Sequence, residues 1–241
     1  MLKLTNSVLA LALSQAAVFA ADPGLLRMLM PDAKVVAGIQ VDSGKTSAFG
    51  QYVLSRMQLD DENFKKFIAD TGFDPRKDVT EILMASNWSG EVNARWLVLA
   101  RGVFNSARIT SAVQANGGAV SLFQGVNLLS SVPATNNQPA SAIAFLNSSE
   151  AAMGDPDSVK AAIQRYQTSS SAPASLGTKK VQDVMAHNDF WFITLVPVSE
   201  FAGAMPEANL GQAMKGNLLQ AVNQASGGIK FGPNVRGQQR P

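Results

Sequence analysis

The sequence predicts an α+β fold: an antiparallel sheet with helices on one face, of the split βαβ or ferredoxin-like kind. Two observations predict it. Apolar residues make up 46% of the 241-residue chain and are grouped in short segments whose spacing alternates between strand-like and helical. These segments run strand, helices, strand, strand, helix, strand, an order that suits an antiparallel sheet.

The elements follow from local chemistry. Ala33–Val41 is apolar and β-branched, and reads as a strand. Ser43 opens a helix over Lys45–Met57, with Phe49, Val53, Leu54 and Met57 on one face. Asp60-Asp61-Glu62 begins a second helix, because acids in a first turn complement the helix dipole, and Gly72 ends it. Thr80–Ser86 and Arg95–Val103 read as strands joined through Asn87–Ala94. Asn105 caps a helix over Ser106–Ala115, which Gly117-Gly118 terminates. Ala119–Gln124, Val126–Ser130 and Ser141–Leu146 are strands, and Glu150–Met153 pairs back on the last. Asp155 before Pro156 caps a helix over Asp157–Tyr166.

Residues 168–178 contain the Ser-, Ala- and Pro-rich run Thr168–Gly177 and read as a linker. Residues 21–167 are then one α+β domain, and 179–241 a second, incomplete α+β unit. The second unit holds a strand over Asp189–Val196 and a helix over Glu207–Gln224. Asp32–Asp42 and Asp189–Ser199 echo one another, each running from Asp through an apolar strand to a polar helix start. The fold expected is therefore an incomplete duplication, although two unrelated strand-to-helix units give the same echo. Ile229–Phe231 starts another strand, and Arg236–Pro241 has the pattern of a frayed tail.

Residues 1–20 read as a signal peptide. Lys3 is the positive end, an apolar run begins at Val8, and Val18-Phe19-Ala20 supplies small residues at −3 and −1. Polar residues interrupt the run before it reaches membrane-spanning length. The expected location is periplasmic or extracellular, with no integral membrane segment after cleavage. Removing Lys3 leaves 19 basic residues against 18 acidic, too balanced for nucleic acid as a partner. No Cys is present, so there is no disulfide and no thiolate chemistry, and the single His excludes His-rich metal clusters.

The motifs that resemble active sites have structural explanations. Gly38 to Thr46 runs from a strand into Gly-Lys-Thr and a helix, but five residues separate its glycines where a phosphate loop needs four. His187 stands in a loop-like stretch with no nucleophile or orienting acid specified. The carboxylates at Asp60–Glu62 and at Asp155 and Asp157 fall where helix N-termini want acids. Asn87-Trp88-Ser89 and Asn147-Ser148-Ser149 match a glycosylation sequon that is common by chance. Trp96 and Trp191 lie in strand patterns and are expected in the core. Trp88, in a turn, is the candidate exposed binding aromatic.

Thr71–Val79 carries a G-x-D-P-x-x-D turn before a strand, and Ala142–Ile163 an A-F-L strand leading to a G-D-x-x-x-V-x-x-A-I helix. In these motifs the chain resembles a group of uncharacterised bacterial secreted proteins. That resemblance implies export and an α+β fold, and supplies no activity or site residue. Such proteins continue through further strands at the C-terminus, where this chain departs from the pattern.

The leading expectation is an exported, non-enzymatic binding or envelope-associated scaffold protein with no catalytic residue, cofactor or metal. One alternative is a secreted hydrolase whose site forms only in the tertiary structure. Another is a subunit pairing with a protein partner through an exposed sheet edge.

Overall fold

A computed structural model describes residues 21–48, 50–51, 62–87, 94–130, 140–197, 225–231 and 236–240. Ten strands form one antiparallel sheet: β1 (Val35–Gln40), β2 (Val79–Ser86), β3 (Trp96–Gly102), β4 (Ala119–Phe123), β5 (Val126–Ser130), β6 (Ala142–Phe145), β7 (Glu150–Gly154), β8 (Phe190–Thr194), β9 (Ser226–Lys230) and β10 (Arg236–Arg240). Their spatial order is β10-β9-β8-β1-β2-β3-β7-β6-β5-β4. The protein is thus α+β with an antiparallel sheet.

The ferredoxin-like arrangement is not what this order builds. A split βαβ unit leaves one strand between its two parallel strands. Here β3 and β4 run parallel with three strands between them, as do β7 and β8. Nor do the helices keep to one face. Strand alternation puts Val36, Leu83, Leu97, Leu99, Ala144, Ala152, Trp191 and Ile193 on one side, all buried. Helices α1 (Pro23–Met28), α6 (Pro156–Gln167) and α7 (Lys179–His187) contribute to that same core through Leu25, Met28, Val159, Ile163, Val181 and Met185. On the opposite side Phe73 and Phe104 pack with Ile82, Ala100, Ala151 and Phe145 in a second, smaller core. Between β1 and β2, α2 (Val41–Lys45), α3 (Glu62–Thr71) and the one-turn α4 (Pro75–Asp78) lead to this second core.

The division at residues 168–178 also does not hold. Ala174–Gly177 forms a 3-10 turn with Leu176 buried in the main core, and β1 pairs with both β2 and β8. One sheet and one main core therefore join the two expected units. The expected frayed tail includes β10, paired with β9 from Arg236↔Lys230 to Arg240↔Ser226. A topological echo is present: β1-β2-β3 and β8-β9-β10 each comprise a strand, a long connection and an antiparallel pair, joined where β1 meets β8.

Most element ends carry the expected caps. Asn105 accepts from the Arg108 N–H at 3.1 Å to start α5 (Ser106–Ala115). Asp155 accepts from the Ser158 N–H at 2.9 Å, and its other oxygen takes the Trp96 N–H at 3.0 Å, tying α6 to β3. Gly72 follows α3 with φ +69°, and Arg108 Nη2 donates to the exposed Ala69 carbonyl at 2.6 Å. In the G-x-D-P-x-x-D motif, Asp74 accepts from the Arg76 backbone N–H and from its guanidinium, which holds the Asp74 carboxyl below its usual range. Asp78 closes the turn by accepting the Asp74 N–H at 2.7 Å.

The β4–β5 turn departs from ordinary residue preference. Gln124 and Gly125 both have positive φ, +50° and +80°, the signature of a type I′ turn. Asn tolerates that left-handed conformation better than Gln. Gln124→Asn is expected to stabilise the protein by a few tenths to about 1 kcal/mol, read as a higher urea midpoint at unchanged slope. An unchanged or lower midpoint would contradict the I′ geometry.

Candidate functional site

Two features distinguish the sheet: an open apolar row on one face and a carboxylate cluster at one end of the other. The row follows directly from register. Phe192 pairs with Ala37, Ala37 with Met84, Met84 with Val98, Val98 with Met153, Met153 with Ile143, and Ile143 with Leu129. Seven adjacent strands thus contribute one apolar residue each to a line about 29 Å long, at roughly 4.8 Å per strand. Leu129 is buried, but Phe192, Met84, Met153 and Ile143 remain 39%, 40%, 41% and 37% exposed. On an antiparallel sheet a solvated face normally alternates to polar residues. Here it does not.

The row is bordered by aromatic packing. Phe104 stacks at 5.6 Å from Phe73 and 5.4 Å from Phe145, and so covers the neighbouring row Ile82, Ala100, Ala151. On the other border, alternation along β3 places Trp96 on the open face beside Val98, where it is partly exposed. Trp96 was expected in the core. Its strand pattern is symmetrical between the two faces, so only the sheet's packing reveals which face it takes. Trp191 is in the core as expected, 1% exposed. Trp88 lies outside the described residues.

The carboxylate cluster is on the face that carries the main core. Arg101 Nη2 contacts Asp22 at 2.7 Å and Glu150 at 2.9 Å. Glu150 also accepts from Asn147 Nδ2 at 2.7 Å, and that amide donates to the Tyr166 hydroxyl at 2.9 Å. Both protons of the Asn147 amide are therefore engaged inside the fold, which argues against Asn147 as a glycan acceptor. Glu81, 5% exposed, accepts the Asp22 N–H at 3.0 Å. Burial pushes the Glu81 carboxyl above its usual value, with the nearby Asp22 charge adding to the rise and Arg101 opposing it. A Cβ at Gly24 would lie 2.7 Å from the Asp22 carboxylate and 3.0 Å from that of Glu150, so any larger residue there would displace the cluster. Neither Glu81 nor Glu150 stands out in sequence, where each is a single acid within an apolar strand.

The sequence motifs separate in space. Gly38 is a strand residue packed on the Trp191 ring. Lys45 is committed to Asp42 at 2.8 Å and to the Lys77 and Val79 carbonyls at 3.1 and 2.7 Å. That explains the Gly-Lys-Thr run without a phosphate. His187 ends α7 rather than lying in a loop, and its Nδ1 is 2.7 Å from the Asp183 carbonyl of its own helix. No described hydrogen bond joins His187 to an acid or a hydroxyl. Asp155 caps α6, Asp157 lies in its first turn, and Glu62 lies in the first turn of α3. Asp60 and Asp61 fall outside the described residues. Among the described residues, no group of three or more His, Asp or Glu is arranged to hold a metal, and no helix is long and apolar enough to cross a membrane.

No protein-family model and no curated protein matches this chain. Among solved structures it is similar to crystal form I of TP0453, with a TM-score of 0.52 at 12% identity, covering 88% of this chain and 75% of that one. At that identity the likeness is one of fold: the chain shares its overall α+β architecture with TP0453.

Proposed function

We propose that this is an exported, non-enzymatic binding or scaffold protein that engages an apolar protein partner through the open face of its sheet. The observation that carries this reading is the Phe192-to-Leu129 row, in which four large side chains on four different strands stay more than a third exposed. A contiguous exposed apolar patch of this kind marks an interaction site. Methionine suits it, being flexible enough to repack against different surfaces. The signal-like residues 1–20 support export, and the single engaged His supports a non-catalytic role. Met84→Lys with Met153→Lys is expected to abolish capture of an exported-fraction partner while costing less than about 1 kcal/mol per site. If wild-type and doubly substituted protein, both folded by circular dichroism, retain the same partner, the face is not the interface.

A second reading, pairing through a sheet edge, is favoured by β4. It is one of the two edge strands of the sheet, and its sequence Ala-Val-Ser-Leu-Phe has neither the charges nor the proline that normally blunt an edge. The two-residue turn makes Phe123↔Val126 a hydrogen-bonded pair, so the N–H and C=O groups of Val120 and Leu122 point outward. Leu122 is 72% exposed. On this reading light scattering shows a dimer that Leu122→Lys converts to monomer; a monomer at all concentrations rejects it.

The echo of β1-β2-β3 in β8-β9-β10 supports a duplicated origin for the two strand sets.

A further inference from the structure

The carboxylate cluster is short of positive charge. Among the described residues in contact there, Asp22, Glu81 and Glu150 surround a single guanidinium, that of Arg101. Asp22 and Glu150 are both within 3 Å of the same Arg101 nitrogen, while among the described residues Glu81 receives the Asp22 amide and a side-chain bond from Gln40. Two unmatched carboxylates in a largely buried site are costly.

The chain reaches this site at a significant position. Ala21, the first residue after the signal-like segment, is 1% exposed, and the next amide, Asp22 N–H, donates to Glu81 Oε1. Backbone geometry then keeps the Ala21 nitrogen within about 7 Å of that oxygen. Downstream, Leu25, Met28 and Leu29 are fully buried, so the N-terminal segment is part of the core from Ala21 onward.

We propose that cleavage after Ala20 supplies the missing cation: the α-ammonium of Ala21 pairs with Glu81 and locks the processed chain. The proposal rests on the export reading above. Hydrolysis of the Ala20–Ala21 amide consumes one water, leaving a carboxylate on Ala20 and an ammonium on Ala21. In the uncleaved chain the same nitrogen is a neutral amide that offers Glu81 no charge. Processing would then change stability and not only location.

Four proteins test this: the chain beginning at Ala21, the same chain preceded by Gly-Ser-Gly-Ser, and Glu81→Gln in each. The Ala21 form is expected to melt about 5 °C or more above the extended form. Glu81→Gln should remove that difference, lowering the Tm of the Ala21 form. In the extended form the same substitution leaves the Tm unchanged or raises it, because it removes an unmatched buried carboxylate. The Ala21 α-amino group should titrate above the ordinary 7.7–8.0 or so by NMR and return towards it in Glu81→Gln. The facing groups Asp22, Arg101, Glu150 and Gln40 are the same in all four proteins. Equal melting of the two parent forms, or a difference that persists in Glu81→Gln, overturns the proposal. Intact mass of the exported protein tests the cleavage position separately: a start other than Ala21 refutes the link to processing, while the four-protein comparison still decides whether the ammonium and Glu81 pair.

Discussion

Trp191→Ala is expected to destabilise the protein by about 3–5 kcal/mol, a large fraction of the stability of an ordinary domain. Trp191 is among the largest fully buried side chains and stands in β8, an interior strand of the sheet paired on both sides by β1 and β9. Its cross-strand neighbours are Gly38 in β1 and Gly228 in β9. Gly38 is not there for flexibility. A Cβ added to it would come within 2.4 Å of Cε2 and Cζ2 of the indole, so the glycine is the space the ring occupies. Gly38→Val is therefore expected to cost about 1–3 kcal/mol by overpacking. The two substitutions should also couple: with the indole gone, valine enters a cavity, and the double variant is more stable than the sum of the single effects implies. Urea unfolding followed by far-ultraviolet circular dichroism measures all three. Additive losses would mean that the two residues do not share this space.

Arg101→Met is expected to cost about 2 kcal/mol at neutral pH, less than a fully buried broken pair because the Arg101 side chain is one-third exposed. The loss should depend on pH, with a definite sign. Without the guanidinium, which opposes the rise, the Glu81 carboxyl moves further above its unfolded value, beside the like charges of Asp22 and Glu150. A carboxyl raised in the folded state binds its proton more tightly there, so stability is regained as pH falls through the folded pKa towards the unfolded value of about 4. Burial already raises Glu81, so the parent protein shares part of this trend. The gap between variant and parent should therefore narrow from pH 7 to about pH 4.5. A gap that is constant or wider in acid would mean that Arg101 contributes by packing its stem and not by its charge.

Much of the strand and helix content was legible because it is written locally. Asn105, Asp155 and Gly72 cap or end helices by bonding to residues within four positions, and those positions can be read one after another. The limits of α5 and β5 match expectation residue for residue. Helices α1 and α7 are not legible in the sequence, for physical reasons. Asp22-Pro23-Gly24 has the composition of a turn, yet Asp22 accepts the Gly24 and Leu25 N–H groups and starts a helix that only its buried leucines stabilise. In α7 only Val181 and Met185 are buried, too sparse a stripe to separate from a polar loop. Strand β10 is not legible either, because Arg-Gly-Gln-Gln-Arg has no strand pattern of its own and is held by β9.

Most of the elements, their caps and the absence of thiol chemistry are written in the sequence itself, because capping, periodicity and composition act over a few residues. The tertiary structure alone decided the sheet order, the face Trp96 takes and the convergence of Asp22, Glu81, Arg101 and Glu150. Those residues lie as much as 59 positions apart in a single hydrogen bond. The apolar row depends on six successive registers, and a slip of one residue in any of them would turn that strand's side chains to the other face.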